Sequence, residues 1–158
     1  MKREVVCIAL ALIMWGMPGI GHGAHVIDSQ TNPQFLYVLS AKTGSFDGDR
    51  LTLHNVPMVI YFSDRPNRIA GHMSLKMFVA LWGQVPDSFK ADPPNATLSI
   101  FHENGNQDVI VELMEPQMKG DTITFRYKLL KGKTVTSFGA SSVFVDAYPT
   151  PVNPQVTD

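Results

Sequence analysis

Two short segments of this chain gather the residue types that grip or transform a ligand. The first is Phe62-Ser63-Asp64-Arg65-Pro66-Asn67-Arg68-Ile69-Ala70-Gly71-His72. It brings one carboxylate, two guanidinium groups and one imidazole together between Asp64 and His72. Paired N–H donors on Arg65 and Arg68 suit a carboxylate or a phosphate. His72 is of the type that changes charge near neutral pH, and Pro66 stiffens the segment. The alternative for this loop is purely structural: Asp64 accepts backbone N–H bonds and pairs with an arginine, while His72 packs. The second segment, Phe89 to Thr97, carries Asp92-Pro93-Pro94-Asn95. Its prolines fix φ and push Asp92 out of helical geometry. They either hold Asp92 and Asn95 at set positions or simply deliver the chain into the next strand. Together the two segments make Asp64, Arg65, Arg68, His72, Asp92 and Asn95 the candidate binding residues. They are expected to be neighbours, with Asp64 or Asp92 engaging Arg65 or Arg68.

Other chemistry is thinly represented. His25, His54, His72 and His102 are scattered and show no H-x-x-x-H or H-E-x-x-H spacing. No metal or other cofactor is expected, although His54, His72 and Asp92 could converge in space. Neither G-x-S-x-G nor a phosphate-cradling glycine loop occurs. A hydrolase would have to assemble from separated residues, and Asp64, His72 and Asp92 are the three on offer. Trp82 and the aromatic residues of the strands read as core, with stacking on sugar rings as the other use.

The elements that must position these loops are mostly strands. Phe35 to Ala41 is a continuous apolar run of strand length. Gly44, Asp47-Gly48 and Asp49 read as turns. Leu51 and Leu53 alternate with polar residues, as a half-buried strand requires. Met58 to Phe62 forms another apolar strand. Ser74 is placed to cap a helix of about nine residues with Leu75, Phe78, Val79 and Trp82 on one face and Gly83 as its stop. Leu98 and Ile100 share a strand face, and Asn104-Gly105 predicts a tight hairpin turn. Val109, Val111 and Leu113 return along one face. Glu115 to Asp121 reads as a longer turn. Thr122 to Leu129 alternates Ile123, Phe125, Tyr127 and Leu129 against Thr122, Thr124, Arg126 and Lys128. A last strand covers Ser142 to Ala147. About seven short strands and one inserted helix predict a mainly β domain, an antiparallel sandwich or a partly open barrel.

Around this domain, residues 1–24 read as a secretory signal. Lys2 and Arg3 form a basic start, Val5 to Met17 an apolar run, and Gly21-His22-Gly23-Ala24 the small residues near a cut. That run is shorter than the ~20 residues needed to cross a bilayer, so no stable membrane anchor is expected after cleavage; an uncleaved anchor is the alternative. Residues 25–34 read as a polar linker, 35–147 as the β-rich domain and 148–158 as a proline-rich disordered tail. Cys7, the chain's one cysteine, falls in the signal. The exported domain must therefore hold itself by core burial rather than by disulfides. With 44% apolar and 17% charged residues among 158, the composition is that of a globular protein. Its net charge of −1 gives no basic surplus for nucleic acid.

The segments FSDRPNRIAGHMS, FKADPPNATLSI and VELMEPQMKGDTITFRYKLLKG resemble a bacterial family of exported proteins of unknown function. That family shares a D-R-P-x-R loop, a tryptophan-containing helix and a D-P-P-N-A segment. The resemblance spans Phe35 to Ala147. Asp64, Arg65, Arg68, His72, Trp82, Asp92 and Asn95 match its motifs. It implies an extracytoplasmic bacterial domain and carries no activity with it. The sequence thus predicts a periplasmic or secreted binding module without catalysis, whose partner is a small anionic ligand or an envelope or extracellular protein. The hydrolase built on Asp64, His72 and Asp92 is the alternative.

Overall fold

The computed structural model describes residues 33–83 and 88–149. The signal, most of the linker and most of the tail lie outside the described residues. In chain order the elements are β1 (Gln34–Ala41), β2 (Thr43–Asp47), β3 (Arg50–His54), β4 (Val59–Ser63), β5 (Ala70–Met73), α1 (Leu75–Ala80), β6 (Asn95–Ile100), β7 (Gln107–Lys119), β8 (Thr122–Lys131), β9 (Ser137–Phe138) and β10 (Ser141–Pro149). They form one antiparallel sheet in the order β5-β4-β1-β10-β6-β7-β8-β3-β2-β9. The sheet does not close, since β5 and β9 are its two edges. The fold is therefore mainly β, of the sandwich or open-barrel kind, with one short helix.

Strict alternation buries one face of the sheet. Leu39, Leu53, Leu98, Val111, Ile123 and Phe125 are all fully buried. The helix supplies what the sheet face lacks. Ser74 Oγ accepts the Met77 N–H at 3.2 Å, which satisfies one of the free donors of the first turn. Phe78 and Trp82 then enter the core and meet Tyr37, Phe89 and Phe125. Six residues are too few for a helix to persist alone, so this aromatic cluster holds it in place. The helix ends at Ala80, before Gly83.

Ten strands replace the seven expected, for local reasons. Gly44 lies inside β2 rather than in a turn. Its missing side chain makes room for the Phe138 ring, which a Cβ would meet at 2.4 Å. Ala70 to His72, read as the end of the loop, instead pair with β4 within edge strand β5. The Asn104-Gly105 connection is not a tight two-residue hairpin. Strand pairing stops at Ile100 opposite Gln107, and only Gly105 of the two has positive φ. Tyr148 and Pro149, assigned to the tail, extend β10 opposite Phe35 and Gln34.

Two departures matter for packing and function. Glu115 and Pro116 do not end β7. They form a bulge between Met114, opposite Arg126, and Gln117, opposite Thr124. A bulge tolerates proline because its residues leave the hydrogen-bond ladder, and the turn falls later, at Gly120-Asp121. Leu129 shares the strand phase of Phe125 yet is 43% exposed. Pairing of β3 with β8 stops at Arg50 opposite Arg126, so Leu129 lies beyond the end of β3.

Candidate functional site

The arginine loop is a braced hairpin tip. Ser63 N donates to Ile69 O at 2.8 Å, and Ile69 N donates to Ser63 Oγ at 2.8 Å. Arg68 N closes the turn on Asp64 O at 3.2 Å, with Arg68 at φ 54°. Asp64 turns to the start of β1. Its N–H donates to Gln34 O at 3.1 Å, and its Oδ1 accepts Gln34 N at 3.4 Å. The expected pairing of Asp64 or Asp92 with Arg65 or Arg68 does not form. Arg65 and Arg68 are exposed, and neither makes an ion pair among the described residues.

Strand order separates the remaining candidates. β4 and β6 lie on opposite sides of the β1–β10 pair. Three strand spacings, about 14 Å at ~4.8 Å each, therefore lie between the line of Asp64 and the line of Asn95. His72 stands exposed on edge strand β5, opposite Ile60. Asp92 is exposed in the turn before β6, where its N–H donates to Ser88 O at 3.2 Å. Asp64, His72 and Asp92 thus sit on three separate elements. Among the described residues no three His, Cys, Asp or Glu side chains gather closely enough to hold a metal ion, so His54, His72 and Asp92 do not converge either.

A concave site lies elsewhere among the described residues, where the end of α1, the proline segment and the β7 bulge meet. Val79, Trp82 and Gly83 come from α1 and its end. Phe89, Lys90 and Pro93 come from the segment leading into β6. Met114, Glu115 and Pro116 come from the β7 bulge. Together they line a cavity of about 470 Å³. The bulge creates the opening, because Glu115 at φ 47° and Pro116 leave the ladder there. Leu113 N donates to Pro94 O at 2.9 Å and fixes the proline segment to β7. One wall is the indole of Trp82, whose ring centroid lies 4.7 Å from that of Phe89 and 5.7 Å from that of Phe125, tilted at 54° and 50° to them. Its buried Nε1 has no acceptor among the described residues.

The rim carries charge of both signs, unequally satisfied. Glu115 Oε1 accepts Arg126 Nη1 at 3.0 Å, and Asp49 approaches the same guanidinium at 4.0 Å. Lys90 is exposed and has no carboxylate within ion-pair distance among the described residues. Sequence reasoning named Trp82 as core, Pro93 as a stiffener and Glu115-Pro116 as a turn, and did not join them. The usable signal was Met114-Glu115-Pro116 at the end of a well-patterned strand, which is where a bulge accommodates proline.

A second surface feature is apolar. On the outer face Ile60, Val38 and Phe144 occupy one cross-strand row, and Phe62 pairs with Leu36 beside it. Ile60, Phe62 and Phe144 are all exposed.

Comparison of the chain with protein-family models, with curated proteins and with solved structures found no match in any of the three.

Proposed function

We propose that this chain is an exported, non-catalytic binding module, and that it holds a small molecule in the cavity between α1, the Pro93 segment and the β7 bulge. The observation that carries the reading is the cavity itself: about 470 Å³ beside the buried aromatic cluster of Trp82, Phe89 and Phe125. That volume falls within the ~300–1,000 Å³ typical of small-molecule pockets. Its lining is mostly aliphatic and aromatic, with Lys90 and Glu115 at the rim. Contact with Trp82, Phe89 and Met114 would remove apolar ligand surface from water, at about 25 cal/mol per Å² before the cost of association.

The test is optical. The chain has two tryptophans, Trp15 and Trp82. Once residues 1–24 are removed, Trp82 alone reports, from the wall of the site. Titrating the mature domain with octanoate should produce a saturable change in tryptophan emission. Flat responses through the millimolar range to octanoate and equally to uncharged 1-octanol and cationic octylammonium would remove the cavity as the binding site.

A further inference from the structure

We propose that the molecule bound in this pocket is an amphipathic monoanion: a small acid whose apolar body lies against Trp82, Phe89 and Met114 and whose carboxylate meets Lys90. The proposal rests on the pocket being the binding site and adds the ligand's chemical class. The charge balance of the rim carries it. Glu115 is the one carboxylate lining the cavity among the described residues, and its charge is already met by Arg126 at 3.0 Å. Arg126 is met in turn by Glu115 and Asp49. Lys90 is left as the cation on the rim with no partner among the described residues. A cationic ligand would face Lys90 and find Glu115 occupied. A neutral ligand would gain apolar contact only. An anion gains the same contact and a charge-assisted bond to the ammonium group. The size of the cavity, toward the lower end of small-molecule sites, favours one ring or one medium alkyl chain over a two-chain lipid.

Three probes with the same eight-carbon chain isolate the headgroup: octanoate, 1-octanol and octylammonium. Their affinities for the mature domain are measured by calorimetry at low ionic strength. Octanoate should bind about threefold to tenfold more tightly than octanol, and octylammonium most weakly. Added salt should narrow the gap. Lys90→Ala, on an exposed side chain, should erase the preference for octanoate over octanol. Equal binding of octanoate and octanol, tightest binding of octylammonium, or a preference that survives Lys90→Ala would overturn the monoanion while leaving the pocket as a site. Binding of none of the three would remove the site and the proposal together. Co-sedimentation with phosphatidylglycerol vesicles in place of octanoate binding would overturn the assignment to a soluble acid.

Discussion

Phe125→Ala should destabilise the domain by about 3–5 kcal/mol, whereas Arg126→Ala, one residue along, should cost no more than about 1 kcal/mol. Phe125 is fully buried on the inner face of β8 and packs against Trp82 at 5.7 Å. Removing its ring deletes apolar contact and leaves a cavity that the surrounding strands cannot fill. Arg126 points to the other face, where its bonds to Glu115 and Asp49 are exposed to solvent and its side chain is 43% exposed. Small domains are stable by only about 5–15 kcal/mol, so the first change consumes a large share and the second does not. Urea denaturation of both variants measures the contrast. Equal losses would mean that the inward and outward faces of β8 are exchanged.

A comparably large loss is expected from Gly132→Ala, which breaks a backbone requirement. Gly132 has φ 99°, outside the range that L side chains adopt readily, and a Cβ there would stand 2.8 Å from the carbonyl oxygen of Asp108. The strained φ costs about 1–3 kcal/mol, and the overlap adds to it because a backbone atom cannot swing away as a side chain can. A smaller gain of about 0.4–1 kcal/mol from a stiffer unfolded chain opposes this. Gly105→Ala separates the two effects. Gly105 also has positive φ, at 124°, but nothing lies within 4 Å of its would-be Cβ. Gly132→Ala should therefore lower the urea midpoint clearly more than Gly105→Ala. Matching midpoints would mean that Gly132 does not approach β7 as closely as the structure places it.

Local patterning made much of this fold legible. The Ser74 cap, the alternation in β3, β6 and β8, and the inward set of Val109, Val111 and Leu113 all follow from residues close in sequence. Gly44 and Pro116 misled because each has two structural uses. Gly44 looks like a turn residue, yet it serves as the gap in β2 that receives Phe138. Pro116 looks like a strand end, yet it sits in a bulge from which β7 continues to Lys119. The larger difference concerns the placement of the two loops. Whether the loops at Asp64 and Asn95 meet depends on strand order, and strand order depends on β1 and β10, from opposite ends of the domain, pairing between them. No hairpin pattern encodes that pairing. For the same reason, Trp82, Lys90 and Glu115 become one site only through packing of α1 against the middle of the sheet.

The account's central claim is the location of the site, and amide chemical-shift mapping tests it most directly. In two-dimensional ¹H–¹⁵N spectra of residues 25–158 titrated with octanoate, the shifts should concentrate at residues 79–83, 89–92 and 113–115, with saturation at a common affinity. Shifts confined to residues 63–72, around Arg65 and Arg68, would contradict the account and return the binding site to the arginine loop.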